Sequence, residues 1–312
     1  MPDLHGRVAL VTGATAGIGL ATAVQLARCG ARTLLGFRAP QRGEAAREAV
    51  LAYCADASVE LVRVDLASLD SVEDAAEEIA DRAGQLDILV NNAGVMAPPP
   101  DLTADGFELQ IGTNHLGHFA LTGRLLPLLL AAEAPRVVTL SSLAHHTASG
   151  VGLSEPADFK TLPLGSRWLG YCRSKLANLL FAFELDRLAR GCAPSLRSIA
   201  AHPGVTRSEL VARASIGRRP VIGPVARASV VVGAQSTAAG ALPSLYAATH
   251  PDVTGGQYLG PRLGMRGAPG RASTSRTARD SQLAQRLWAA SVEATGVGYE
   301  ELCTPPEQSA NS

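Results

Sequence analysis

The run Val8-Ala-Leu-Val-Thr12 is rich in β-branched residues, too short for a helix, and breaks at Gly13 before an Ala/Leu-rich helical segment that reaches Arg28. A strand, a glycine turn and a helix in that order constrain the chain strongly, because the pattern recurs. Strand-like runs at 31–37, 59–64, 86–90, 136–140 and 196–201 alternate with helical segments at 42–55, 71–82, 103–130 and 168–190. Six apolar runs alternating with helices predict an α/β fold, a doubly wound parallel sheet of about seven strands in a single domain over residues 1–303. Beyond the sixth run lie a helical segment from about 224 to 249, a short strand near 256–259, a Gly/Arg-rich loop and an amphipathic helix over 279–294. The tail 304–312 is expected to be disordered.

Ligands of such sheets bind outside the carboxyl ends of the strands. After the first strand comes Gly13-Ala-Thr15-Ala16-Gly17-Ile18-Gly19, where glycines permit a tight turn and close approach of backbone to a phosphate at a helix N-terminus. Its Gly-x-x-x-Gly-x-Gly spacing departs from Gly-x-Gly-x-x-Gly, and a plain glycine turn reads the same way. The second strand ends in Gly36-Phe37-Arg38, without the acid that would accept from a ribose 2′-hydroxyl. Arg38 can pair with a 2′-phosphate, which favours NADP(H) over NAD(H); a solvated strand-end arginine is the ordinary alternative. Asp65-Leu66 follows the third strand, and Asn91-Asn92-Ala93-Gly94 follows the fourth, where Asn91, Ala93 and Gly94 suit a backbone lying against a flat ligand, or an ordinary turn. Ser141-Ser142 ends the fifth strand, with one of the two facing the site. His202-Pro203-Gly204-Val205-Thr206 ends the sixth.

Tyr171 and Lys175 lie four residues apart in the 168–190 helix, so they share a face one turn apart. An ammonium beside a phenol favours the phenolate and pulls the tyrosine down from about 10, toward use as a general acid or base. Only two lysines, Lys160 and Lys175, occur among the 28 basic side chains. A compact charge with movable donors suits this place better than a rigid arginine fork. A surface Tyr/Lys pair is the bland reading. Asn114, followed by Gly117, sits in mid-helix, a local violation of the kind expected at functional or strained sites. His115 and His118 have no acidic partner nearby in sequence and read as packing histidines, with no metal set.

With 28 basic and 28 acidic side chains the chain has no field of one sign, so neither nucleic acid nor a membrane is expected as partner. The opening residues are too soon interrupted for a signal peptide or span, which predicts a cytoplasmic protein. Five scattered cysteines without a Cys-x-x-Cys pair predict reduced thiols, not a disulfide framework.

The ordered motifs TGATAGIG (12–19), DL (65–66), NNAG (91–94), Asn114 in NHLGHF, Ser142, YCRSK (171–175) and HPG (202–204) resemble the short-chain dehydrogenase/reductase family across most of the chain. NHLGHF, SSLAHH, YCRSKLAN and GGQYLGP look like the branch of retinol dehydrogenases, WW-domain-containing oxidoreductases and their soluble bacterial relatives. The resemblance implies a Rossmann fold and hydride transfer between NADP(H) and a carbonyl or alcohol of a small, fairly apolar molecule, with no metal. It implies that Tyr171 exchanges the proton, Lys175 depresses its pKa and holds the nicotinamide ribose, Ser142 holds the substrate oxygen, and Asn114 holds a water linking Lys175 to solvent. It also implies a homodimer or homotetramer, for which the apolar stretch 176–181 is either interface or core. Residues 205–250 are expected to cover the substrate. A non-catalytic NADP(H) sensor or scaffold is the alternative, disfavoured by the complete Ser142/Tyr171/Lys175 set. A dehydratase or epimerase is disfavoured by the glycine spacing.

Overall fold

Neighbouring residues of the central strands enter opposite sides of one sheet, and the computed structural model, which describes residues 1–161, 166–206 and 235–303, shows why those runs are apolar throughout. Eight strands pair in the order β3-β2-β1-β4-β5-β6-β7-β8: β1 (Val8–Thr12), β2 (Arg32–Phe37), β3 (Val59–Arg63), β4 (Ile88–Asn91), β5 (Arg136–Leu140), β6 (Arg197–Ala201), β7 (Tyr258–Pro261) and β8 (Pro269–Arg271). The first seven are parallel, and β8 runs antiparallel to β7. Leu10, Leu34, Leu89 and Val137 point into one core, with side chains of α3 (Leu69–Arg82), α5 (Gly117–Arg124) and the end of α7 (Arg167–Cys192). Ala9, Val11, Leu35, Val90 and Val138 point the other way, onto α1 (Gly17–Arg28), α2 (Pro40–Tyr53) and α8 (Thr237–Thr249). A third cluster joins α7 to α9 (Ser281–Thr295) through Leu176, Leu180, Leu283 and Leu287.

Several sequence expectations change. The sheet has eight strands, because the Gly/Arg-rich loop contains the three-residue β8, whose Pro-Gly-Arg sequence carries no apolar alternation. The single helix expected over 103–130 is α4 (Leu109–Ile111), a π-helical turn (Gly112–Leu116), α5, and α6 (Leu126–Ala131), which starts afresh at Pro127. The π turn falls on Asn114, the local violation noted in the sequence. Ser68 caps α3, its side chain accepting from the Ser71 amide. Cys192 and Cys303 form a disulfide, contrary to the expectation of reduced thiols. The C-terminal turn at 300–303 packs back beside the end of α7, bringing together cysteines 111 residues apart, and sequence spacing carries no sign of this. The stretch 176–181 is core of the same chain, with Leu176, Ala177, Leu179 and Leu180 fully buried, so it offers no interface. Within 205–250 the described residues are 205–206 and 235–250, where α8 packs on α1 and the sheet. Residues 207–234 of that segment and the tail 304–312 lie outside the described residues. Among the described residues no helix is long and apolar enough to cross a membrane.

Candidate active site

The carboxyl ends of β1 to β6 open onto one cleft of about 300 Å³. At one end, the glycine turn brings β1 against the loop after β4. Gly13 has a φ of +64°, and a Cβ there would lie 2.9 Å from the Ala93 Cα; a Cβ at Gly19 would lie 2.3 Å from the Gly13 carbonyl. The backbone is thus as closely folded as the sequence spacing predicts. Ala16 caps α1 without any side-chain hydrogen bond, and the first turn of the helix has no acid. Its amides therefore face the cleft with the positive end of the helix dipole, a cradle that fits the pyrophosphate of a dinucleotide.

Of the residues expected at the cofactor, Gly13, Thr15, Ala16, Gly17, Ile18, Gly19, Arg38, Asp65, Leu66, Ala93, Gly94, Tyr171, Lys175 and Pro203 line this cleft. Asn91 does not. Its side chain alternates to the opposite face of β4, where Nδ2 donates to Thr122 Oγ1 at 2.9 Å. Asn92 takes the place facing the cleft and donates to the Thr12 carbonyl at 2.7 Å. Gly204, Val205 and Thr206 turn away from it. The Gly204 amide donates to His202 Nδ1, Val205 donates to the Met265 carbonyl, and Thr206 bridges to Gln235. Sequence reasoning missed Arg42, which lines the cleft beside Arg38 from the first turn of α2. Its signal was its position, one helical turn beyond the strand-end arginine.

Thr12, also missed, is the bracket between these parts. Its Oγ1 accepts from the Asn92 and Ala93 amides at 2.9 and 3.0 Å. It also lies 2.8 Å from Nε2 of His118, whose Nδ1–H donates to the Asn114 carbonyl at 3.0 Å. Burial pushes His118 down to about 4 and His115 to about 3, so both rings are neutral packing groups. His115 sits 2.9 Å from Ser291 Oγ.

The side chain of Asn114 is fully engaged. Oδ1 accepts from the Val95 amide at 2.7 Å, while Nδ2 donates to the Val95 carbonyl and to Ser174 Oγ, both at 2.9 Å. It clamps the loop after β4 to α7. A Cβ at Gly94 would lie 3.0 Å from Asn114 Oδ1 and 3.5 Å from Lys175 Nζ, so this glycine, the amide and the lysine converge.

Tyr171 and Lys175 lie one turn apart, as their spacing predicts, with Nζ 5.8 Å from the phenol ring centroid and donating to the Leu140 carbonyl at 3.1 Å. The expected pKa shift of the tyrosine is reversed. Both groups are buried, Tyr171 6% and Lys175 5% exposed, and desolvation disfavours the charged form of each. Burial pushes Tyr171 up to about 12, opposed by a hydrogen bond with the Ser142 side chain, and pushes Lys175 down to about 8. The two serines divide as strand alternation requires. Ser141 Oγ donates to the Lys175 carbonyl at 2.7 Å, while Ser142 turns to Tyr171 and accepts from the Ala144 amide at 3.2 Å. A hydroxyl, a phenol and an ammonium therefore meet beside a phosphate cradle, the set needed to hold and protonate an oxygen next to a nucleotide.

A family model described as short chain dehydrogenase matches residues 7–153. The chain is 36% identical over 303 residues to retinol dehydrogenase 13 of Homo sapiens, spanning 94% of this chain and 86% of that protein. It is 38% identical over 304 residues to polyprenol dehydrogenase of Mus musculus, spanning 96% and 86%. The crystal structure of an uncharacterized protein from Mycobacterium paratuberculosis superposes with a TM-score of 0.76 at 39% identity, covering 96% of this chain and 97% of that one.

Proposed function

The chain belongs to the short-chain dehydrogenase family, on its retinol dehydrogenase-like branch, and from that premise we propose the reaction of this oxidoreductase. It interconverts a carbonyl and an alcohol on an apolar small molecule with NADP(H), and Tyr171 exchanges the proton. The observation that carries this reading is that Tyr171 and Lys175 line the same cleft as the phosphate cradle, with the Ser142 side chain hydrogen-bonded to Tyr171. Arg38 and Arg42 both line the cleft and the end of β2 carries no acid, which supports NADP(H) over NAD(H). Two relatives are named for retinol and polyprenol, both apolar alcohols, which supports an apolar substrate.

When bound, the nicotinamide cofactor supplies or takes up the hydride. In the reductive direction the buried Tyr171 phenol is held protonated and ready to donate to the carbonyl oxygen. The Ser142 hydroxyl already accepts from Ala144, which leaves its own proton for the same oxygen. The Lys175 ammonium meets the negative charge that develops on the phenol as its proton leaves. Burial keeps this phenol protonated at neutral pH, the form from which reduction starts.

Tyr171→Phe tests the assignment. Reduction of a panel of aldehydes and ketones should fall by roughly a thousandfold, the worth of a positioned general acid. NADPH binding, followed by nucleotide fluorescence, should be unchanged. Turnover near the wild-type rate would refute it.

A further inference from the structure

Ser142 is held from its backbone as well as from its hydroxyl. Its carbonyl accepts from the His145 amide at 3.1 Å and from His145 Nδ1 at 2.6 Å. The imidazole is wholly buried, 0% exposed, and lies edge-on to the Tyr258 ring at 5.5 Å, so it cannot swing aside without opening the core. At its far side, Nε2 accepts from the Ser275 amide at 3.2 Å.

These two partners fix the tautomer. A carbonyl can only accept, so Nδ1 must carry the proton; an amide can only donate, so Nε2 must carry a lone pair. A second proton on the ring would set N–H against N–H at Ser275. Burial, aided by His146, pushes the ring down to about 4 and keeps it neutral.

We propose that His145 is a positioning residue for Ser142, locking the serine between β5 and the segment that follows β8 so that its hydroxyl is aimed at the oxygen held by Tyr171. The inference rests on the reading of Ser142 given above. Ser142 begins the turn over 143–147, and its Oγ is held on the backbone side by the Ala144 amide. The two bonds from His145 fix the peptide plane on which that hydroxyl is mounted. Through Ser275, the ring also transmits the position of the C-terminal segment to the serine.

The test is a double-mutant cycle with Ser142→Ala, read as kcat and KM for carbonyl reduction, with NADPH affinity measured separately by fluorescence. His145→Phe keeps an aromatic ring and removes both bonds. It should lower kcat by about tenfold, the worth of one buried hydrogen bond, with KM and NADPH affinity little changed. His145→Asn places an amide N–H near Nδ1 and should restore most of the rate. In the Ser142→Ala background, His145→Phe should cause no further loss. A full tenfold loss again in that background, or a wild-type kcat for His145→Phe, would overturn the inference. Should His145→Phe fail to fold, His145→Asn and His145→Gln decide it. Asn, which keeps the donor to Ser142, should outperform Gln, which reaches only the Ser275 side, and the reverse order overturns the inference. A wild-type rate for Ser142→Ala would overturn the reading of the serine and this inference with it, whereas additive losses overturn this inference alone.

Discussion

Lowering the pH from 6.5 to 5.0 should strip this protein of much of its stability, because four of its seven histidines are buried and neutral. Burial is the first cause in each case, holding His115 at about 3 and His118, His145 and His202 at about 4. In the unfolded chain each returns to the ordinary value of about 6.5. The sign follows from proton counts. Between about 4 and 6.5 the unfolded chain binds protons that the folded chain refuses, so stability falls as the pH falls through that window and is unaffected by these groups well above it. Over 6.5 to 5.0 each ring contributes a loss of about 1.6 kcal/mol, and the four together roughly 6 kcal/mol, against a typical total of about 5–15 kcal/mol. The window lies above the ordinary carboxylate range, which separates this effect from the protonation of Asp and Glu. Urea unfolding at half-unit pH steps and constant ionic strength, followed by far-UV circular dichroism, measures it. His115→Leu should remove about a quarter of the drop. A total drop below roughly 2 kcal/mol, little more than one ring's share, would refute the reasoning.

Arg38→Ala should weaken NADPH binding by roughly tenfold to a hundredfold, the loss of one charge-assisted pair, and leave NADH nearly untouched; equal losses in a calorimetric titration would exclude a 2′-phosphate contact. Gly19→Ala drives a methyl to within 2.3 Å of the Gly13 carbonyl, so the turn must open and nucleotide affinity collapse. An unchanged dissociation constant would show that this turn is not the cradle. Arg173 donates to the carbonyls of Asp158 at 3.1 Å and Thr161 at 2.7 Å and lies 3.9 Å from the buried Glu108. Arg173→Met should therefore cost about 3 kcal/mol, leaving an uncompensated carboxylate, and open the 150–161 stretch to limited proteolysis; a wild-type melting curve and digest would contradict this.

What the sequence made legible is what local patterns encode. Strands such as VALVT announce themselves because burial on both faces demands unbroken apolar residues, and Tyr171 and Lys175 because helical spacing fixes their shared face. Asn114 was legible as a violation, yet its π turn was not, because the cause is a tertiary clamp on Val95 and Ser174. The direction of the Tyr171 pKa shift is not legible, since spacing reports the neighbouring charge but not the depth of burial. The sequence does not separate Asn91 from Asn92, because it does not say at which residue the strand's alternation ends. β8 and the Cys192–Cys303 bond escaped for a common reason, as both depend on segments meeting late in the fold rather than on any local pattern.

Antiparallel β8 also determines how copies of this chain can and cannot associate. Among the described residues it is the last strand of its side of the sheet, and an open strand edge is a template onto which another molecule can add its own backbone. This edge is only three residues long, begins with a proline that has no amide to donate, and ends in an exposed arginine. A second chain extending the sheet here would find one bonding position missing and a charge to bury. The sheet is thus blunted against strand addition at its β8 edge, which leaves the β3 edge as the other place where a strand could add.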